Sequence, residues 1–257
     1  YRTGWLFQGE YPYPCGISQS MNKEPLLITG VGKRVGLHLA HTFLDRGIPV
    51  IGTYRTTRPG VTELEQKGAE LYQCDFDDEA QTDALIGNVL CNHGSLRAII
   101  HNASDWLADK EELPGAEIMR RMMRVHVSAP YQINLALEPL LEASEASHAD
   151  IIHVGDYVSS RGSKKHIAYA ASKAAQDNLT QSFAAKLAPR IKVNSLAPAL
   201  VLFNPDDDEE YRRKALDKSL MQREAGLDEF QHAVDYLLQS HYVTGRVLPM
   251  DGGRHLR

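Results

Sequence analysis

Cysteine is scarce in this chain, which argues against two common ways of stabilising a fold. The 257 residues contain only three cysteines, and no two of them form a C-x-x-C pair. Disulfide frameworks and structural zinc sites need paired cysteines, whereas an odd, scattered set is typical of free thiols in a reducing compartment. His38 and His41 lie three residues apart, but no third metal ligand accompanies them. We therefore expect a cytoplasmic protein that holds no metal.

Long apolar runs and clusters of basic residues are also missing. The longest apolar runs have the length of a strand, far below the about 20 residues that a membrane-spanning helix needs. The net charge is −5, and lysine and arginine form no cluster. A nucleic-acid surface would require such a cluster. We therefore expect neither a membrane nor a nucleic acid as a partner.

Residues 1–20 differ from the rest of the chain. They are rich in glycine, proline and tyrosine, show no periodicity, and lack the basic start and apolar core of a secretory signal. One interpretation is a disordered or added extension, with the native fold beginning near Met21. The other is a natural arm that packs on a neighbouring subunit. In both cases, residues 21–257 are expected to form one domain.

Strand-like and helix-like segments alternate from Pro25 onward. Continuous apolar strands such as Leu26–Ile28 are typical of a parallel sheet that is covered on both faces. Alternation with short connections predicts right-handed βαβ units and a single-domain, doubly wound α/β fold, Rossmann-like, with seven parallel strands. The strands are predicted at residues 25–30, 49–55, 70–76, 96–102, 150–156, 191–197 and 246–250, and the helices near 34–47, 78–91, 115–143, 167–188 and 226–240.

An acidic segment, Asp206–Glu210, follows the sixth predicted strand. It opens a polar helical insertion that extends to about Arg223. Acidic residues at a helix start complement the helix dipole, so a solvated helix is one interpretation. A mobile lid over a substrate is the other.

A glycine-rich turn follows the first strand. Gly30, Gly32 and Gly36 permit a tight turn, close approach of the backbone to a phosphate, and close packing of the next helix. The N-terminus of that helix favours a pyrophosphate. This arrangement predicts a dinucleotide cofactor.

Basic residues around this turn indicate which dinucleotide. Arg55 ends the second strand, 19 residues after Gly36, where an NAD enzyme tends to place an acidic residue for the ribose 2′-hydroxyl. Arg55, together with Lys33 and Thr56, favours NADPH, although Arg55 as a solvated strand end is the alternative. Asp75 is placed either to accept from the adenine amino group or to cap a helix.

Tyr169 and Lys173 are four residues apart on a predicted helix and so share one face. An ammonium group beside the phenol favours the phenolate, so we expect the pKa of Tyr169 to fall towards neutrality. A tyrosine of that kind transfers protons.

The motifs, taken in order, resemble the short-chain dehydrogenase/reductase family over about Glu24–Arg254. They are Thr29–Gly36, Asn102-Ala103, Tyr169-x-x-x-Lys173, Asn194 to Pro198, and Asp251–Gly253. The resemblance implies a homotetramer, although the alanines of the helix near 167–188 are explained equally well by burial within one subunit. It also implies a set of cofactor-binding residues: Gly30, Gly32, Lys33, Arg34, Val35, Gly36, Tyr54, Arg55, Thr56, Asp75, Phe76, Asn102, Ala103, Ser104, Tyr169, Lys173, Pro198 and Leu200.

Departures from the wider family narrow the resemblance to its pteridine reductases. Arg34 replaces a glycine, Asp156 replaces the serine before the tyrosine, and Trp106 follows the fourth strand. His126 stands where an asparagine usually holds a water of the proton relay, so its imidazole either joins that relay or fills the gap. Ala199 replaces a glycine and leaves less room beside the nicotinamide.

The resemblance implies NADPH-dependent reduction of a 7,8-dihydropterin or dihydrofolate, with hydride going to C6 and a proton to N5. A carboxyl group suits protonation of a ring nitrogen, which favours this reaction over ketone reduction. The implied catalytic residues are Asp156, Tyr169 and Lys173, and the implied substrate-binding residues are Arg34, Ser104, Trp106, Asp156, Tyr169 and Leu202. The alternatives are a ketone or 3-oxoacyl reductase and a non-catalytic NADPH sensor.

Overall fold

The structure is a computed structural model that describes residues 24–110 and 113–257. The extension inferred for residues 1–20 lies outside the described residues. The seven parallel strands are confirmed, in the order β3-β2-β1-β4-β5-β6-β7. They are β1 Leu26–Ile28, β2 Val50–Tyr54, β3 Glu70–Gln73, β4 Ala98–His101, β5 Ala149–Val154, β6 Ile191–Pro198 and β7 Val247–Met250.

Eight α-helices and several short helical turns lie in the described parts of the chain. The helices are α1 Arg34–Asp45, α2 Pro59–Gln66, α3 Glu79–Asn92, α4 Gly115–Met123, α5 Ala129–Glu142, α6 Ile167–Leu187, α7 Glu209–Leu216 and α8 Leu227–Gln239. None of these helices is long and apolar enough to cross a bilayer. The polar helical insertion is confirmed as α7, and Asp208 caps its start by accepting from the backbone N–H of Tyr211.

The single helix predicted over 115–143 is wrong, because two helices are joined there by a π-helical turn, Arg124–Ser128. Pro130, the second residue of α5, has no N–H to continue an α-helical ladder. A π-helical turn widens the helix by one residue and redirects the side chains it carries. Here it places His126 in the interior, fully buried.

Helix α2 was not predicted from the sequence. It is short, and Pro59 occupies its first turn, where a missing N–H costs nothing. Val61 and Leu64 supply its buried face.

Apolar residues cover both faces of the sheet. Consecutive strand residues point to opposite faces, so Leu27 joins one core cluster, while Leu26 and Ile28 join another. The first cluster includes residues of α3, α5 and α6, and the second includes residues of α1 and α8. This two-sided burial explains why the strands read as continuous apolar runs.

The strand order reverses between β1 and β4. The chain proceeds from β1 outward to β3 on one side, and from β4 outward to β7 on the other. In a doubly wound sheet, a crevice opens at this point, beyond the carboxyl ends of the strands. The loops after β1, β4 and β5 carry the predicted site residues to this crevice.

At the opposite end of the strands, Asp150 lies between two buried cations. Its Oδ2 is 2.6 Å from Nη1 of Arg97, and its Oδ1 is 2.7 Å from Nζ of Lys192. All three side chains are at least 94% buried. The cluster joins the beginnings of β4, β5 and β6 by charge-assisted contacts.

Asp150→Asn should destabilise the fold, because it leaves two buried cations without a counter-ion. Breaking a buried ion pair costs about 3–5 kcal/mol of unfolding free energy. Urea unfolding, followed by far-UV circular dichroism, measures the change. Asp45→Asn, which removes the exposed partner of Lys67, is the control and should leave the midpoint unchanged. Equal effects of the two substitutions would contradict this account.

Candidate active site

The glycine turn between β1 and α1 is shaped by close backbone contacts. Gly30 has a φ of 75°, and a Cβ there would lie 2.8 Å from the Cα of Ala103. A Cβ on Gly36 would overlap the carbonyl oxygen of Gly30. Gly32 has no such contact, since its nearest neighbours would be 3.7 Å away. Two of the three predicted glycines are thus sterically required.

The turn is held against the end of β4. The side-chain amide of Asn102 donates to the carbonyl oxygens of Thr29 and Gly30, both at 3.0 Å. The backbone N–H of Ala103 donates to Oγ1 of Thr29 at 2.9 Å. These bonds bring Asn102 and Ala103 to the turn, and their predicted contacts with the cofactor stay predictions.

The first turn of α1 is open to an anion. Lys33, at the N-cap position, makes no side-chain cap, so the first N–H groups of the helix lack a capping partner. A phosphate fits this position because the helix dipole and the N–H groups both favour negative charge. The glycine turn and α1 therefore fit a dinucleotide pyrophosphate.

Arg34 adopts a left-handed backbone conformation, with a φ of 53°, where the family has glycine. Its guanidinium donates to the carbonyl oxygen of Leu202 at 2.8 Å and to the side-chain oxygen of Asn204. Arg34 thus ties the glycine turn to the loop after β6. Its predicted contacts with the pterin and the phosphate stay predictions, as does the substrate contact of Leu202.

Arg55 pairs with an acidic residue that sequence reasoning missed. Its Nη1 lies 2.9 Å from Oδ2 of Asp105, and Arg121 reaches the same oxygen at 2.6 Å. The hydrogen bond that Arg55 donates to Asp105 raises the pKa of Arg55 further above its usual value. About half of the Arg55 side chain remains exposed, so a 2′-phosphate would share it with Asp105. Lys33 and Thr56, the other residues predicted to favour NADPH, are also exposed.

One alternative for Asp75 is removed by the structure. The cap of α3 is Asp78, which accepts from the backbone N–H of Ala80 at 2.9 Å. Asp75 instead accepts from the N–H of Asp77 at 3.1 Å. A contact of Asp75 with adenine stays a prediction. Of the other predicted cofactor-binding residues, Phe76 is buried in the core and Tyr54 is half-buried.

Asp156, Tyr169 and Lys173 come together at the end of β5. The hydroxyl of Tyr169 donates to Oδ2 of Asp156 at 2.8 Å, and Oδ1 accepts from the N–H of Val158, also at 2.8 Å. Nζ of Lys173 donates to the carbonyl oxygen of Val154 at 2.7 Å and lies 5.9 Å from the centroid of the Tyr169 ring. Gln176, one turn further along α6, accepts from the same ammonium at 3.2 Å.

The expected fall in the pKa of Tyr169 is wrong. Burial raises the pKa of Tyr169 well above its usual value, and the neighbouring Asp156 carboxylate raises it further. Asp156 contacts the hydroxyl directly, whereas Lys173 directs its hydrogen bonds to Val154 and Gln176. Tyr169 is therefore a protonated donor in the protein without cofactor. Burial lowers the pKa of Lys173 to about 8, against the opposite effect of Asp156.

His126 bridges the loop after β4 and helix α6 directly. Its Nε2 accepts from the N–H of Asp105 at 3.3 Å and lies 2.9 Å from Oγ of Ser104. Its Nδ1 lies 2.8 Å from Oγ of Ser172, which donates to the carbonyl oxygen of Tyr169 at 2.7 Å. Burial holds the pKa of His126 well below 6.5, so the ring is neutral. The neutral imidazole occupies the position and contacts Ser104 and Ser172, and its part in a proton relay stays a prediction.

Trp106 lies on the surface and stacks on a neighbour that sequence reasoning missed. The rings of Trp106 and His166 are 4.1 Å apart and inclined by 22°, and 64% of Trp106 is exposed. His166 begins α6, three residues before Tyr169. A contact between Trp106 and a pterin stays a prediction. One face of the indole already packs against the ring of His166.

A cavity of about 340 Å³ lies beside the loop that follows β6. Ala199 and Leu200 line it next to Pro198, the last residue of β6, and Arg254 and Met221 contribute further side chains. This volume lies within the range of about 300–1,000 Å³ that small-molecule pockets have. Cofactor contacts of Pro198, Leu200 and Val35 stay predictions.

Binding of a dinucleotide should weaken as the pH rises through about 8, because Lys173, which the resemblance assigns to the cofactor site, then loses its charge. The ammonium form, present below this pH, binds better, and affinity should fall up to about tenfold per pH unit above it. Fluorescence titration with NADPH from pH 6.5 to 9.5 measures the effect, these limits spanning roughly 1.5 units on either side of that pKa.

The Asp156→Asn variant tests whether this pH dependence belongs to Lys173. Asp156 raises the pKa of Lys173, so its loss should move the inflection to lower pH. Glu65→Gln, on the exposed face of α2, should leave the inflection in place. An inflection that does not move in the Asp156 variant would contradict the assignment to Lys173.

Comparisons with known proteins agree with this geometry. A family profile described as enoyl-(acyl carrier protein) reductase matches residues 30–255. The dihydromonapterin reductase of Klebsiella pneumoniae is 53% identical over 234 residues, covering 91% of this chain and 98% of the relative. The Escherichia coli K12 protein of the same name is 54% identical over 233 residues, covering 91% and 97%.

Two solved structures also resemble this chain over most of its length. FolM alternative dihydrofolate reductase 1 from Brucella canis, complexed with NADP, superposes with a TM-score of 0.81 at 25% identity, covering 93% of this chain and 96% of that one. The Brucella suis protein, also with NADP, gives 0.79 at 26% identity, covering 92% and 97%. The chain is therefore a member of the short-chain dehydrogenase/reductase family.

Proposed function

We propose that this protein reduces a 7,8-dihydropterin with NADPH, with dihydromonapterin as its principal substrate and dihydrofolate as a second one. The observation that carries this proposal is the bond between Tyr169 and Asp156 at 2.8 Å, where the wider family has a serine. The relatives with about 53% identity are dihydromonapterin reductases, and the solved neighbours from Brucella are called alternative dihydrofolate reductases.

NADPH supplies the hydride. The chain holds it through the sterically required turn at Gly30 and Gly36 and the open first turn of α1. Arg55 and Lys33 favour the phosphorylated ribose because they are basic and exposed. In this proposal the ammonium of Lys173 donates to the nicotinamide ribose.

Asp156 and Tyr169 share one proton, and this pair delivers it to N5. The carboxylate accepts from the hydroxyl and fixes its direction, while the N–H of Val158 holds the carboxylate. When the proton leaves, negative charge develops between the two groups. The ammonium of Lys173, 5.9 Å from the ring centroid, offsets that charge.

A carboxyl group suits a nitrogen base better than a carbonyl oxygen. A serine hydroxyl polarises a carbonyl by donating a hydrogen bond, but it transfers no proton near neutral pH. A carboxyl–phenol pair holds a mobile proton that a ring nitrogen takes up as hydride reaches the adjacent carbon. Reduction of a ketone or a 3-oxoacyl thioester is therefore the second candidate.

Turnover is tested by following the absorbance of NADPH with dihydromonapterin, dihydrofolate and a 3-oxoacyl thioester in parallel. Faster turnover of dihydromonapterin supports the proposal. Turnover of the thioester alone would replace the pterin reaction by the ketone reaction. NADPH binding without turnover of any of the three would favour a sensor.

Asp156→Ser should lower kcat/KM for dihydromonapterin by about 10²–10⁴-fold, because the proton carrier is lost. Asp156→Asn keeps an oxygen that accepts from Tyr169 and should lose as much activity, since it cannot carry the proton. Steady-state kinetics measures both variants, with Glu65→Gln as the control. Full activity of the asparagine variant would show that Asp156 acts only by orientation.

We also propose a cytoplasmic homotetramer in which α6 contributes to a subunit contact. Ala171 and Ala174 are exposed on this helix, so burial within one subunit does not account for them. Tyr131 and Leu135, four residues apart on α5, are large apolar side chains that are 47% and 37% exposed. Small and apolar residues on adjoining helices suit close helix packing between subunits.

Ala174→Arg should break this contact, because a charged side chain on that face prevents close packing. Sedimentation velocity measures the mass, with a monomer of 28.6 kDa as the reference. Lys186→Arg, on the exposed part of the same helix, is the control for surface substitution. An unchanged assembly in the Ala174 variant would exclude this face as an interface.

A further inference from the structure

Two arginines gather around Tyr157, the residue that follows Asp156. The guanidinium carbon of Arg161 is 5.7 Å from the centroid of the Tyr157 ring, and that of Arg254 is 5.2 Å from it. Nη1 of Arg161 also donates to the Tyr157 hydroxyl at 2.5 Å. Residues 161 and 254 are distant in sequence, so only the fold brings them together.

The position of this cluster relative to the active site is well determined. Asp156 caps the short helical turn Tyr157–Ser160 by accepting from the N–H of Val158, and its other oxygen holds Tyr169. Neighbouring Cα atoms are about 3.8 Å apart, so Tyr157 lies at the edge of the site. Arg254 lines the cavity of about 340 Å³ beside the loop after β6.

Neither guanidinium has a carboxylate within 4.0 Å in residues 24–110 and 113–257. The acids nearest in sequence are engaged elsewhere. Asp156 accepts from Val158 and Tyr169, and Asp251 accepts from the backbone of Gly253 and from His255. The two positive charges are therefore not neutralised locally.

The cavity also carries acids, and these do not reach the arginines. Glu224 lines it and accepts from the backbone N–H of Phe203. Glu229 lines it and is exposed, as is Arg223. Neither Glu224 nor Glu229 forms an ion pair with Arg254.

Two like charges around one ring repel each other, and the ring itself offsets only part of that repulsion. An exposed cation–π contact contributes about 0.5–1 kcal/mol. Carboxylates bound by these guanidiniums would offset their positive charge, because a planar guanidinium can bind a carboxylate bidentately. Since Tyr157 already orders Arg161, less side-chain freedom is lost when such a ligand binds.

We infer that Arg161 and Arg254 form a carboxylate subsite that binds the glutamate tail of dihydrofolate. The inference rests on the proposed function and specifies how the same site tells its two substrates apart. Dihydrofolate carries two carboxylates beyond its pterin ring, whereas dihydromonapterin carries an uncharged polyhydroxylated chain. The subsite therefore contributes affinity to the folate and none to the monapterin.

The test uses Arg161→Gln, Arg254→Gln and the double variant, with steady-state kinetics on both substrates. Each lost charge-assisted contact should raise the KM for dihydrofolate about 10-fold, and the double variant up to about 100-fold. The KM for dihydromonapterin should stay within about twofold, and kcat should change little for either substrate. Arg213→Gln on the exposed face of α7 is the matched control.

Ionic strength and conservative variants provide a second readout. The KM for dihydrofolate should rise with salt in the wild-type protein and lose that dependence in the double variant. Arg161→Lys with Arg254→Lys keeps the charge but not the planar fork, so part of the affinity should return. Equal changes in KM for the two substrates, or no change for either, would overturn the subsite.

A probe that carries no pterin separates failure of the subsite from failure of the proposed function. p-Aminobenzoylglutamate presents the tail alone, and its binding to the NADPH complex is measured by calorimetry. Binding to the wild-type protein and not to the double variant supports the subsite even if neither substrate is reduced. Absence of binding to the wild-type protein, together with unchanged KM values in the variants, would exclude it.

Discussion

The close contact between the first glycine turn and the end of β4 is the constraint on which the site depends. A side chain at Gly36 would overlap the carbonyl oxygen of Gly30, and one at Gly30 would press on Ala103. The amide of Asn102 ties these backbones together through two carbonyl oxygens. This junction lies where the strand order reverses, which is the point at which a doubly wound sheet opens a crevice.

The carboxylate of Asp156 affects both the hydrogen bonds and the pKa values of the neighbouring catalytic groups. Asp156 lies two residues beyond β5, caps the turn that carries Tyr157, and accepts a hydrogen bond from the Tyr169 hydroxyl. Its charge raises the pKa of Tyr169 and opposes the fall in the pKa of Lys173. This one departure from the wider family thus adds to the effect of burial on the pKa of Tyr169 and supports the proposed protonation of a ring nitrogen.

Buried polar groups connect this centre to the helices behind it. His126, placed inward by the π-helical turn, links Ser104 to the first turns of α6 through Ser172. Gln176 joins Lys173 to the backbone of His126. In a low-dielectric interior such chains are costly to leave incomplete, which holds Tyr169 and Lys173 in one arrangement. A neutral imidazole thereby occupies the position that the family assigns to an asparagine and a water.

The sequence alone determined the fold class, the seven parallel strands, the glycine turn and the helical pair Tyr169 and Lys173. Each is a local signal, because periodicity, turn chemistry and four-residue helical spacing are set by neighbours along the chain. The predicted helix boundaries are wrong near Arg124–Ser128, where burial of His126 outweighs the local helical pattern.

Only the tertiary structure decided the charges and partners of the site. The ion pair of Arg55 with Asp105, the stacking of Trp106 on His166, and the gathering of Arg161 and Arg254 at Tyr157 join residues far apart in sequence. The rise in the pKa of Tyr169 likewise comes first from burial and then from the neighbouring Asp156 carboxylate. Electrostatic energy varies with distance in space and with burial, and a linear pattern specifies neither.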